Sequence, residues 1–171
     1  KIMGDESNNK TGVQDHQMNM NDRIYFVDST EQFHAVLAPV LAKSRIIALD
    51  CEGSPDLSKT GTLCVLQLCA VISNDNDDSD LDDDHHNIGV TSNRKETSVA
   101  FVVDALADNG ALIHLLKPVL ESDTVLKVFH DVRRDAEALF FQYDITLRHV
   151  LDTQVAYRML LMSHFLDSRH Y

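Results

Sequence analysis

The chain has 171 residues, enough for one domain with a sizeable hydrophobic core. Its formal net charge of −12 argues against a generally adhesive nucleic-acid surface. Seven of those negative charges are Asp residues between Asn74 and Asn87, however, and removing them leaves −5. No apolar run approaches the ~18–20 residues of a membrane span, and no signal-peptide pattern opens the chain. The first residue is Lys1, which reads as a fragment or a processed form. Cys51, Cys64 and Cys69 make an odd count without CxxC spacing. They predict reduced thiols in an intracellular protein, with neither a disulfide framework nor a zinc site.

Residues 1–22 are polar and aperiodic, which predicts a disordered lead-in to a domain over residues 23–171. Ile24 to Val27 suits a short strand. Ser29 or Thr30 then caps a helix whose Phe33, Val36, Leu37, Val40 and Leu41 fall at helical spacing, with Pro39 placed to kink it. A β-branched apolar run follows and ends in Ala48-Leu49-Asp50-Cys51-Glu52-Gly53. Turn-rich residues 53–61 lead into a second strand over 62–72, which most simply returns antiparallel. Residues 74–97 form a low-complexity acidic insert that lacks the Gly and Glu positions of an EF-hand loop. It reads as a solvated surface loop, and its His85 and His86 as binding nothing specific. Val99 to Asp104 resumes the sheet, and Leu112, Leu115, Leu116, Val119 and Leu120 give the next helix its apolar stripe. A buried strand over 124–129 feeds a helix whose inner face is Val132, Ala136, Leu139, Phe140 and Tyr143. Val150 and Leu151 suggest a last strand. Asp152 and Thr153 cap a helix that buries Val155, Ala156, Met159 and Leu160. The order implies an α/β fold: an antiparallel meander, then βαβ units, in a mixed sheet with helices on both faces.

Two positions stand out chemically. Asp50 and Glu52 are separated by one residue in an extended segment, so both side chains leave the same face while Cys51 turns away. Like charges that close are costly unless a cation lies between them; the other reading is a strand running out into an acidic turn. The second position is Phe129-His130-Asp131-Val132-Arg133-Arg134-Asp135, at a strand-to-helix junction where functional groups gather in such sheets. If the 125–129 strand lies beside 46–50, Asp135 approaches Asp50 and Glu52, and three carboxylates can hold one or two divalent ions. Otherwise Asp135 is a helix N-terminal acid favoured by the dipole. Asp131 and Asp152 read as N-caps. Lys127, Arg133 and Arg134 lie near enough to meet phosphates, or the two arginines form the solvated face of their helix. No GxSxG, P-loop or GxGxxG pattern occurs.

The blocks ALDCEG, TGTLCVLQL, FVVDAL, LKVFHDVRRDAEALFFQYDI and VLDTQVAYRML, in that order over residues 24–160, resemble the RNase D-type 3′–5′ exonuclease domain of the DEDD superfamily. Within it the blocks look like the exonuclease 3′–5′ domain-containing protein 1 group, which includes Egalitarian-like proteins. The resemblance implies a ribonuclease H-like fold that is C-terminally incomplete here. It also implies metal-dependent hydrolysis of nucleic acid from the 3′ end, with RNA the expected substrate, and two Mg²⁺ or Mn²⁺ ions about 3.5–4 Å apart. By that resemblance Asp50 bridges both ions, Glu52 holds the nucleophile-side ion and Asp135 the leaving-group-side ion. His130 matches the family's His beside the cleft, with Arg133 and Arg134 as further substrate contacts. Asp152-Thr153 is a framework pair. The implied partners are a single-stranded RNA or DNA 3′ end and proteins of RNA processing, with no membrane. The family's third motif, Tyr (or His) four residues before a fourth Asp, is not matched; Tyr157 and Asp167 have neither its spacing nor its position. The alternative is therefore a catalytically inactive domain of the same fold, serving as an RNA-binding or protein-interaction scaffold.

Overall fold

The computed structural model describes residues 24–73 and 96–167; the lead-in and most of the acidic insert, with His85 and His86, lie outside the described residues. Six strands form one mixed sheet in the order β1-β4-β3-β2-β5-β6. They are β1 (Ile24–Val27), β2 (Ser44–Ser54), β3 (Thr62–Ser73), β4 (Glu96–Asp104), β5 (Leu126–Phe129) and β6 (Val150–Asp152). β3 runs antiparallel to β2 and β4, while β1–β4, β2–β5 and β5–β6 pair in parallel. The meander followed by crossover units is the expected topology. β4 begins at Glu96, two residues inside the span assigned to the insert.

Period-two alternation decides which face is the core. Ile47, Leu49 and Cys51 are buried, and they stand opposite buried Ala70, Leu68 and Leu66 on β3. Those three in turn face Val99, Phe101 and Val103 on β4. The flanking helices close over this surface. Phe33 and Leu37 come from the first helical segment, Leu112, Ile113, Leu116 and Leu120 from α3 (Ala111–Leu120), and Leu139 from α4 (Arg133–Tyr143). The intervening residues Ile46, Asp50 and Glu52 leave on the other face, exposed.

Three local expectations change. The first helical segment has no simple proline kink. A π-helical stretch, Phe33–Leu37, joins α1 (Thr30–Gln32) to α2 (Ala38–Leu41), and Pro39 sits just after that stretch. On α4 the inner face is Asp135, Ala138 and Leu139, and Phe140 is exposed. Leu139 is in the core and Val132 and Tyr143 pack against it as expected, while Asp135 and Ala138 take the inner places expected of Ala136 and Phe140. On α5 (Thr153–Asp167), Val155 is 52%, Met159 66% and Leu160 69% exposed, because no described element packs against them.

Gly110 shows why α3 starts where it does. Its φ of +83° is left-handed, and a Cβ there would meet Tyr143 Cε1 of α4 at 2.8 Å, so only glycine satisfies both the turn and the helix contact.

Candidate active site

The site begins where β2 outruns its neighbour. β5 pairs with β2 only as far as Ala48–Val128, so the next inner N–H groups of β2 have no strand beside them. Asp135 fills one gap: its Oδ1 accepts the N–H of Cys51 at 2.9 Å. That N–H belongs to the peptide joining Asp50 to Cys51, so Asp135 is held one peptide unit from the Asp50 Cα. Asp50 and Glu52 project from the open face on either side of Cys51, whose side chain is in the core. The register then shifts between Glu52 and Gly53. A Cβ at Gly53 would lie 2.8 Å from Asp56 O and 2.9 Å from Thr62 O, so the chain can turn back this tightly only at a glycine. The following loop is fastened to α4. Gln142 Nε2 donates to Ser58 O at 3.0 Å, its Oε1 accepts Leu63 N–H at 2.8 Å, and Glu137 Oε1 accepts Lys59 N–H at 3.4 Å.

Asp135 reaches this position because the turn after β5 is pinned. Asp131 adopts a left-handed φ of 62°. Asp152 Oδ1 accepts the N–H of Asp131 at 2.9 Å and of Gln154 at 2.9 Å, while its Oδ2 accepts Val132 N–H at 3.2 Å. One carboxylate thus satisfies orphan donors at the starts of both α4 and α5. Asp131 is therefore not the N-cap expected of it. Val132 occupies that position without a side-chain bond, and Asp131 instead grips Arg133 through two bonds of 2.6 and 2.8 Å.

None of the five ion pairs among the described residues involves Asp50, Glu52 or Asp135. Asp135 is only 4% exposed. Burial raises its pKa, the Cys51 N–H and thiol pull it down, and the Asp50 charge adds to the rise, leaving the net shift upward. Burial first, and then Asp135, Asp50 and Glu52, push the Cys51 thiol well up, so it stays protonated, as expected for a reduced structural cysteine. The sign of the Asp135 shift is testable. A carboxyl whose affinity for a proton rises on folding favours the folded state at low pH, and that contribution is lost as pH rises through its raised value. Asp135→Asn keeps an oxygen for Cys51 N–H and is expected to melt higher than the parent at pH 7. Thermal melts over a pH series should show the gap closing toward 3.8, the ordinary value.

His130 is exposed just past the end of β5, with Nδ1 3.0 Å from Thr153 Oγ1. Arg133 and Arg134 are exposed and paired with Asp131 and Glu137 respectively. Lys127 corrects the sequence reading. Paired with Ile47, it has the core-facing parity of Phe129 and is fully buried, its ammonium bonded to Ser122 O and to Val125 O at 2.8 Å. Desolvation lowers its pKa against the smaller opposing pull of Asp123. It does not face nucleic acid. Lys127→Met is expected to leave oligonucleotide affinity and its salt dependence unchanged in titrations at several salt concentrations, whereas loss of a phosphate contact would reduce the slope by ~1.

The structure thus brings Asp135 to the Asp50–Cys51 peptide, with Asp50 and Glu52 both exposed on the open face of β2. Among the described residues, no group of three or more His, Cys, Asp or Glu side chains is placed to hold a metal ion. Asp135 lies along the β2 edge with one oxygen committed to a backbone donor, while Asp50 and Glu52 leave on the open face. Sequence reasoning missed Gln142 and the double role of Asp152. Gln142 carried no signal, but an Asp ahead of each of two helices was a visible one.

The 3′–5′ exonuclease family model matches residues 25–167. The chain belongs to the 3′–5′ exonuclease family. Its sheet is the ribonuclease H-like one of the RNase D-type members of the DEDD superfamily, flanked by helices as expected. The RNase D of Trypanosoma brucei solved with GMP is 26% identical with a TM-score of 0.56, over 81% of this chain and 36% of that one. The same enzyme in complex with RNA U12 gives 24% and 0.56, over 81% and 40%, and at that identity shows the fold alone. The Egalitarian protein homolog of Caenorhabditis elegans is 47% identical over 52 residues, 30% of this chain and 9% of that protein. This exonuclease-family chain therefore spans well under half the length of these relatives. No helix among its described residues is long and apolar enough to cross a membrane.

Proposed function

We propose that this domain is the acid-bearing part of a metal-dependent 3′–5′ exonuclease acting on RNA ends. The observation that carries the reading is the bond from Cys51 N–H to Asp135, which draws an acid 84 positions away to the backbone between Asp50 and Glu52. The donor set fits hard divalent cations: all three side chains offer carboxylate oxygens, and none of them has a Lys or Arg ion-pair partner among the described residues. Asp50, Glu52 and Asp135 would hold Mg²⁺ or Mn²⁺, which supplies water activation and charge stabilisation at a departing 3′ oxygen. The protein's own part is to set those acids at the end of a core strand, with Gly53 and the loop tied to α4 fixing the exit of β2. Arg133 and Arg134, outward on the first turn of α4, are candidates for backbone phosphates. The T. brucei RNase D solved with GMP, 26% identical to this chain, supports a nucleic-acid substrate.

A second reading is favoured by one observation, the absence of an assembled three-ligand group among the described residues. It makes the domain a catalytically silent RNA-binding or protein-interaction scaffold. A Mn²⁺ titration of this chain and of a longer chain carrying its flanking sequence, on oligonucleotides labelled at either end, separates the two. The exonuclease reading expects Mn²⁺-dependent early release of the 3′ label and a ladder from the 5′ label. Binding without release at any Mn²⁺ concentration in the longer chain contradicts it.

A further inference from the structure

We infer that Phe140 and Phe141, together with Lys59, form a stacking platform for a base of single-stranded nucleic acid, set back from the 3′ end. The inference rests on the exonuclease reading above and deepens it. α4 turns Asp135 and Leu139 inward, yet the two residues that follow Leu139 stay outside the core. Phe140 and Phe141 are each about half exposed, and their rings meet edge to face with centroids 5.1 Å apart. Single exposed apolar residues are ordinary on a protein surface. Two adjacent phenyl rings make a patch that the packing of this sheet does not use.

The charge beside the rings gives the ligand class. Lys59 comes from the loop between β2 and β3, and its Nζ lies 5.1 Å from the Phe141 ring centroid, within cation–π range. The loop is held there by α4: Lys59 N–H donates to Glu137 Oε1, and Ser58 O accepts from Gln142 Nε2. Asp131 and Glu137 are each paired with an arginine, whereas the Lys59 ammonium has no carboxylate partner among the described residues. An unpaired cation over a flat apolar ring suits a ligand that is anionic and carries π-faces. A nucleotide is both, since its base stacks on an aromatic side chain and its phosphate meets the ammonium. Such stacking accepts any base, so the platform adds affinity without sequence choice.

Two elements tie the platform to the acids. The strand bearing Asp50 and Glu52 ends at Ser54 and runs into the loop that carries Lys59. Asp135 and Phe141 lie on the same helix, about 9 Å apart along its axis. A strand whose 3′ end lies at the acids would meet the platform with a nucleotide further back.

The test uses the longer chain with Ca²⁺, so that binding is read without turnover, and fluorescence anisotropy of a 5′-labelled twelve-nucleotide oligoadenylate. Phe141→Ala is expected to weaken binding about fivefold or more, the low end for one stacked base. Phe141→Tyr keeps the ring and should bind like the parent. Phe141→Leu, apolar but without a π-face, should lose as much as Phe141→Ala. An abasic sugar moved along the oligonucleotide should cost affinity at an internal position, and that cost should vanish in Phe141→Ala. Lys59→Gln should lower the salt slope by about 0.7, the share of one phosphate contact on a single strand. The inference is overturned by unchanged affinity in Phe141→Ala, by full binding in Phe141→Leu, by an abasic cost confined to the 3′ end, or by no binding at all. A parent dimer in sedimentation that Phe141→Ala dissolves, with oligonucleotide affinity unchanged, would overturn it in favour of a protein interface. Phe141-dependent binding without 3′ trimming would refute the exonuclease reading and leave the platform standing.

Discussion

Asp50→Ala in the longer chain is expected to reduce metal-dependent 3′ trimming by about a thousandfold or more, the several kcal/mol that a divalent ion contributes to transition-state charge. The size follows from where Asp50 sits. It is the acid whose own backbone joins the peptide that anchors Asp135, and its charge is felt by both Asp135 and Cys51. Its side chain is exposed, so the substitution opens no core cavity and should leave the melting temperature nearly unchanged. That combination separates a chemical role from a structural one. Single-turnover release of a 3′ label, alongside a thermal melt, checks it. Trimming that persists within about tenfold of the parent contradicts the assigned role.

Asp152→Ala is expected to have the largest effect on stability. Three backbone N–H groups at two helix starts lose their acceptor together, and caps of this kind support a fall in Tm of roughly 5–10 °C. Partial burial pushes the Asp152 carboxyl up. The N–H groups of Asp131, Gln154, Val132 and Val155 outweigh it, and the net shift is downward. Its stabilising contribution is therefore full above the ordinary carboxylate range and is lost as pH falls through the lowered value. Differential scanning calorimetry of parent and variant should show a gap that is wide at pH 7 and narrows in acid. Asp152→Asn, which keeps one oxygen acceptor, should fall between the two. A melt unchanged in Asp152→Ala would mean that the turn through Asp131 is held by other contacts.

Much of this was legible in the residues because β structure has a period of two. The spacing of Asp50 and Glu52 around Cys51 gave the shared face, and the structure places both acids outward and the cysteine inward. The junction after β5 was legible from an apolar strand running into a polar helix start. What could not be read was rotation and reach. Asp135 joins Leu139 on the inner side of α4, where its carboxylate takes the Cys51 N–H at the end of the sheet, a contact that apolar spacing does not record. Lys127 looked like a phosphate contact by its charge, yet its parity with Phe129 already placed it inward, where carbonyls at Ser122 and Val125 satisfy it. α5 looked half buried, but burial depends on a neighbour, and none of the described residues provides one.

The account stands on a shared cation pocket for residues 50, 52 and 135. The most direct measurement is Mn²⁺ binding to this chain, followed by the loss of the free-ion paramagnetic resonance signal, for the parent and for Asp135→Asn. The prediction is saturable binding in the parent that weakens about tenfold or more in the variant, as removal of a charged ligand requires. Equal Mn²⁺ affinity in the two proteins would contradict it.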